Sequence, residues 1–257
     1  MTDRKQKKRP AKQQYIRQKR PSKVSRFFRN GLKYGALALL HILYRMKFIG
    51  EERTPLSGPG FIVCNHVSYF DIPVIFWKIK PWVYFVAKHD LLDKPILGPV
   101  MKWWEAIPIN RDQPGVASVR DIMGHIRMDH IVAIFPEGTR VKSKADRTKH
   151  PAKDGVLHFA YKLNAPIIPM AIDGNFKVGT KLTVIMGQPF FLRPPEDTGD
   201  RTAIRQQAKQ LMEYIYNLIE HPDQIIPPRE LVLPESEWTP QQRAVMKKVQ
   251  FGQQGGS

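Results

Sequence analysis

From about residue 60 onward, short apolar runs alternate with longer stretches whose apolar residues recur at helical spacing. The runs Phe61 to Cys64, Val83 to Ala87, Ala106 to Ile109, Ile131 to Phe135, Ile167 to Ile172 and Leu182 to Met186 predict strands. Ser68 to Lys78, Ile96 to Trp104, Val116 to Met128, Gly155 to Asn164 and Arg201 to Glu220 predict helices. Strands that alternate with helices imply an α/β fold with a largely parallel mixed sheet flanked by helices. In such sheets functional groups gather in loops beyond the carboxyl ends of strands.

Outside this alternation the chain changes character three times. Residues 1–22, rich in Lys, Arg and Gln, read as a mobile basic arm. Residues 23–49 read as an amphipathic, membrane-associating helical segment. As a helix it gathers Arg26, Arg29, Asn30, Lys33, His41 and Arg45 in one sector, interrupted by Leu37, with Phe27, Phe28, Leu32, Leu39, Ile42, Leu43 and Met46 opposite. Packing of that helix on its own domain is the competing reading. Residues 50–220 then form the main domain, and 221–257, with four early prolines and a short helix at Pro240 to Val249, a surface extension.

Charge sharpens the picture. The 257 residues hold 41 basic against 23 acidic side chains, a formal +18, and residues 1–30 hold 12 Lys or Arg against Asp3 alone. More than half of the excess is therefore an N-terminal property that favours polyanions, whether nucleic acid, anionic lipid or a phosphorylated substrate. No recognisable nucleic-acid-binding motif accompanies it, and the excess adjoins an apolar segment, which favours an anionic membrane surface over nucleic acid. The single cysteine, Cys64, excludes an internal disulfide framework and a tetracysteine zinc site. The histidines show no metal-ligand spacing, so no metal is expected. The N-terminus lacks the pattern of a secretory signal, and no stretch reaches the length of an ordinary spanning helix, which predicts peripheral or monotopic attachment.

Three constellations carry candidate chemistry. Asn65-His66-Val67-Ser68-Tyr69-Phe70-Asp71 follows a predicted strand and opens a predicted helix. A His five residues before an Asp across such a turn can form a general base, the carboxylate holding one ring N–H while the other nitrogen accepts a proton. Ser68-x-x-Asp71 is also a capping-box pattern, the commoner use of such residues. Phe135-Pro136-Glu137-Gly138-Thr139-Arg140 follows another strand: Gly138 permits close backbone approach, Thr139 offers a hydroxyl, Arg140 can grip a phosphate, and Glu137 can orient Arg140 or meet a substrate hydroxyl. Arg111 follows Ile107 to Asn110, and Lys88 stands in the same topological place after Val83 to Ala87; with Arg140 these cations can converge on one phosphate, or remain solvated surface charges. Cys64 reads as a buried structural residue rather than a nucleophile.

Taken in order, the motifs resemble those of the glycerolipid acyltransferase family over roughly residues 48–190. His66 and Asp71 match its His-x4-Asp motif, Ile107 to Arg111 its arginine-bearing second motif, 135–140 its Phe-Pro-Glu-Gly-Thr-Arg motif, and Ile167 to Ile172 its proline-interrupted strand. Glu105-Ala106 departs from the family's small residue, often glycine, before the second motif, and Pro151 to Gly155 departs from its Phe-Lys-x-Gly. The resemblance implies acyl transfer from coenzyme A or acyl carrier protein thioesters to the sn-2 hydroxyl of 1-acylglycerol 3-phosphate (lysophosphatidic acid), giving phosphatidic acid at the cytoplasmic face of the membrane. It implies His66 and Asp71 as catalytic, Lys88, Arg111 and Glu137 to Arg140 as acceptor-binding, and no cofactor beyond the thioester co-substrate. Another lyso-lipid, such as a lysophospholipid or lyso-ornithine lipid, is the nearest alternative acceptor. A non-enzymatic basic protein binding membranes or nucleic acid is the alternative of a different class.

Overall fold

The computed structural model describes residues 23–110, 115–197 and 199–251. Its strands are β1 (Arg45–Ile49), β2 (Gly60–Cys64), β3 (Val83–Lys88), β4 (Ile107–Ile109), β5 (Ile131–Ile134), β6 (Ile167–Asp173) and β7 (Lys181–Met186). The helices are α1 (Lys23–Leu43), α2 (Asp71–Lys78), α3 (Leu97–Trp103), α4 (Val116–Arg127), α5 (Lys144–Arg147), α6 (Gly155–Leu163), α7 (Arg201–Glu220) and α8 (Pro240–Lys248). The sheet runs β1-β7-β6-β2-β5-β3-β4, and every pairing is parallel except β6 with β7.

All five residues of β2 are buried, because a central strand of a parallel sheet is covered on both faces. Its side chains alternate between two apolar layers. Phe61 and Val63 join Val132 and Ile167 against Ile122 of α4, Leu157 of α6 and Leu211 and Ile215 of α7. Ile62 and Cys64 join Ala133 and Ile168 against Leu37 and Leu40 of α1 and Val74 to Phe76 of α2. The expected α/β architecture is thus present as a three-layer sandwich.

Three expectations need correction. Residues 23–49 are not one helix: α1 ends at Leu43, and Arg45–Ile49 forms edge strand β1, in register with Lys181 to Ile185. The pentapeptide alternates polar and apolar, so Met46 and Phe48 pack on the core while Arg45 and Lys47 face solvent. β7 supplies the backbone partners that turn this ambiguous pattern into a strand.

Under the competing reading, in which α1 packs on its own domain, its inward face also differs from the expected apolar sector. Leu37, Leu40 and Tyr44 are buried, whereas Leu39 is 47% and Ile42 80% exposed. Lys33, on the same inward face, donates to the Ile79 carbonyl at 3.0 Å and lies 5.2 Å from the Phe76 ring centroid, and burial lowers its pKa. Finally, residues 221–251 are not merely a surface extension. Leu231, Leu233 and Val249 are buried, and bridges join Leu192 to Val232 and Pro55 to Phe251.

Candidate active site

β2 and β5 are parallel neighbours, Val63 opposite Ile134, so the segments that follow them leave the same edge of the sheet side by side. Asn65, fully buried, ties the first segment to β6. Its side-chain amide donates to the Ile172 carbonyl at 2.9 Å, and its oxygen accepts the Ile172 N–H at 2.8 Å. The second segment grips His66 by its backbone: the His66 N–H donates to Glu137 Oε2 at 3.0 Å, and the Val141 N–H donates to the His66 carbonyl at 2.7 Å. Gly138 closes the 135–140 turn with φ +67°, a left-handed conformation that disfavours side chains, and donates its N–H to the Phe135 carbonyl.

Held in this way, the His66 ring stacks on Phe135 with centroids 4.2 Å apart and brings Nδ1 to 2.7 Å from Asp71 Oδ2. Asp71 is fully buried, and the same oxygen accepts the N–H groups of Val67 at 2.8 Å and Ser68 at 2.9 Å. An ionised carboxylate only accepts, so it holds the proton of His66 on Nδ1 and leaves the Nε2 lone pair for another partner. The Ser68 hydroxyl accepts from Phe70 N–H rather than from Asp71, so the reciprocal capping box does not form, although Asp71 supplies its returning half.

Glu137 does not reach Arg140 in an ion pair among the described residues. Each of its carboxylate oxygens is engaged, one by the His66 N–H and the other by the Tyr216 hydroxyl of α7. Burial raises its pKa, and these two donors oppose that rise. Arg140 instead stacks on the Tyr69 ring, 3.9 Å from its centroid, beside the His66 turn; Thr139, half-buried, belongs to the same turn.

Lys88 lies apart from this cluster. It ends β3, two strands from β2, and pairs with Asp90 at 2.6 Å, which holds the Asp90 carboxyl below its ordinary range. Arg111 lies outside the described residues, so of the three cations expected to converge the structure places only Arg140 at the turn. Cys64 is buried, and desolvation raises its thiol pKa well above the ordinary value, which removes it as a nucleophile. Among the described residues no group of three or more His, Cys, Asp or Glu could hold a metal ion.

A cavity of about 1450 Å³ opens from Phe135 to Gly138 between α6 and α7. Ile122, Ile134, Val156, Phe159 and Met212 make part of its wall apolar, and Lys149, Lys153, Arg205 and Lys209 contribute basic groups to its lining. Sequence reasoning missed Asn65, Tyr216 and Arg147, whose guanidinium lies 3.6 Å from the Tyr216 ring centroid. A polar residue directly after an all-apolar strand was the available signal for Asn65. Tyr216 gave none, since 79 residues separate it from Glu137.

The family model described as Acyltransferase matches residues 45–173. A 1-acyl-sn-glycerol-3-phosphate acyltransferase of Bacillus subtilis is 29% identical over 171 residues, covering 64% of this chain and 81% of that protein. One from Cocos nucifera is 33% identical over 116 residues, 44% of this chain but only 37% of its own length. The solved 1-acyl-sn-glycerophosphate acyltransferase of Thermotoga maritima superposes with a TM-score of 0.58 at 18% identity, covering 82% of this chain and 86% of that one, and so shares the fold.

Proposed function

Because the chain belongs to the acyltransferase family, we propose that it moves a fatty acyl group from a thioester to the sn-2 hydroxyl of 1-acylglycerol 3-phosphate, giving phosphatidic acid. The observation that carries the reading is the 2.7 Å contact of His66 Nδ1 with a fully buried Asp71. The relatives named for this acceptor support the choice of substrate.

In this mechanism Nε2 of His66 takes the proton of the acceptor hydroxyl as its oxygen attacks the thioester carbonyl. The C–S bond breaks as the ester C–O bond forms, and the imidazolium returns its proton to the leaving thiolate, so the two substrates balance the reaction. Asp71 fixes the tautomer and stabilises the transient imidazolium. General-base assistance of this kind contributes about 10²- to 10⁴-fold. Arg140, together with Arg111, is assigned to the acceptor phosphate, and the apolar wall of the large cavity suits an acyl chain. The donor is acyl-CoA or acyl carrier protein.

The enzyme is read as working from an anionic membrane surface on its cytoplasmic side. No helix among the described residues is long and apolar enough to cross a membrane. Leu39, Ile42, Tyr69, Phe70 and Val178 are exposed, and Phe176 stacks against Phe70 and meets Tyr44 edge-on. This places apolar surface beside the His66 turn, where a lipid acceptor would arrive.

The test incubates the purified full chain with a panel of lyso-acceptors and both donor types and identifies products by mass. Phosphatidic acid from 1-acylglycerol 3-phosphate is expected, and His66→Ala should lower its rate by ~10²-fold or more with the thermal midpoint retained. Product only from a lysophospholipid or lyso-ornithine lipid would move the acceptor assignment. A folded His66→Ala protein with most of its activity would remove the general base.

A further inference from the structure

Glu137 is a buried carboxylate on a side chain with three rotatable bonds, and it orients the backbone of the residue assigned as general base. Burial of a charge needs hydrogen-bond partners, and holding one rotamer needs them on both oxygens. One partner is the His66 N–H itself. The other comes from α7, outside the 45–173 span of the family match: the hydroxyl of Tyr216, itself buried.

Tyr216 is in turn held in place. The Arg147 guanidinium covers its ring at 3.6 Å and lies 3.9 Å from Glu220, also on α7. Tyr216 and Arg147 line both the large cavity and a smaller one of about 200 Å³ beside Asn65, Val67 and Val141. They therefore line both the space that reaches the 135–138 turn and the space that reaches the His66 turn.

We propose that Tyr216 is a positioning residue: by donating to Glu137 it fixes the carboxylate that holds the His66 N–H, and so ties the catalytic turn to α7 and the cavity wall. The effect on His66 as a base rests on the acyl-transfer reading; the effect on the His66 backbone does not. The charged and titratable groups facing Glu137 are His66 and Cys64 from the β2 side, Arg147 from α5 and Tyr216 from α7. Burial and the neighbouring carboxylate raise the Tyr216 phenol's pKa, which keeps it a donor. Its donation lowers the Glu137 pKa, so its loss lets Glu137 protonate at higher pH.

The experiment compares Tyr216→Phe with Tyr214→Phe; Tyr214 lies on the same helix, and its hydroxyl donates to the carbonyl of Ile225, beyond the helix end and not to Glu137. Two readouts are taken on the full chain: amide hydrogen exchange at His66, and the pH profile of acyl transfer. Tyr216→Phe should speed exchange of the His66 amide by about 10-fold, the equivalent of one weakened hydrogen bond. It should also lower kcat by about the same factor with an unchanged KM for the acceptor, and move the acid limb of the profile to higher pH. Glu137→Gln should reproduce the loss of kcat, and adding Tyr216→Phe to it should cost little more. Tyr214→Phe should change neither readout, whatever its thermal midpoint. Unaltered His66 exchange in Tyr216→Phe overturns the positioning role even if the wild type proves inactive. Faster exchange in Tyr216→Phe, with a wild type that transfers no acyl group, would instead refute the acyl-transfer reading alone.

Discussion

At Asp71, one oxygen accepts from His66 Nδ1, from Val67 N–H and from Ser68 N–H. The last two are helix-entry donors, so the capping geometry and the His–Asp pair are parts of one arrangement rather than rivals. That arrangement makes the role of the charge testable. In Asp71→Asn the amide oxygen can take the place of Oδ2 and keep all three donors, with its NH2 group at the place of Oδ1, so what the variant removes is the negative charge that stabilises the imidazolium. Acyl transfer should fall by about 10²- to 10⁴-fold. Unaltered turnover in a folded Asp71→Asn protein would refute the charge argument. Glu105 has φ +55°, a left-handed conformation that suits glycine and that this chain fills with a side chain.

Among the elements, those governed by local pattern were legible. α7 begins and ends where its periodicity does, and Asp200 caps its start by accepting from Thr202 and Ala203 N–H groups. Elements settled by distant partners were not, as α1 and β1 show. The α1 helix turns Lys33 inward because its amine reaches the carbonyl left free at the end of α2, a partner absent from any helical wheel. A pairing local in sequence joins the end of α4 to the start of β5, and a distant strand covers it. His125 and His130 face each other with their Nδ1 atoms 3.1 Å apart, and the Tyr84 ring of β3 stacks against both. Burial, and then His130, lowers the His125 pKa to about 4; burial also lowers that of His130, opposed by Asp129, which pairs with Lys248. The unfolded chain therefore binds more protons than the folded one from about pH 6.5 down to about 4. The stability from these neutral histidines is fully present above that window and is lost as pH falls through it. The thermal midpoint should drop between pH 7 and 4.5, and His125→Phe should flatten the drop; an equal slope in the variant would show that other groups govern it.

Across the whole molecule, α1 leaves Leu39 and Ile42 exposed, and Tyr44 after it meets Phe176, which stacks on Phe70 of the His66 turn, on a chain of formal +18. Binding to vesicles rich in anionic lipid should exceed binding to zwitterionic ones and weaken with salt, and Leu39→Asp with Ile42→Asp should reduce it about 10-fold or more, since each loses buried apolar area. Undiminished binding by that double variant would rule this face out. The sequence by itself determined the α/β alternation, the largely parallel sheet and the contiguous motifs at 66–71 and 135–140, because each depends on residues a few positions apart whose spacing maps directly onto strand, turn or helix. Only the tertiary structure decided that Arg45–Ile49 is a strand, that the 221–251 segment packs on the core and that Glu137 serves the His66 backbone. Those outcomes depend on which distant group lies opposite a side chain. The pair His66 and Asp71 needed both: the spacing lets them meet, but Asn65, Glu137 and Val141, from the segments that follow two neighbouring strands, hold them where they do.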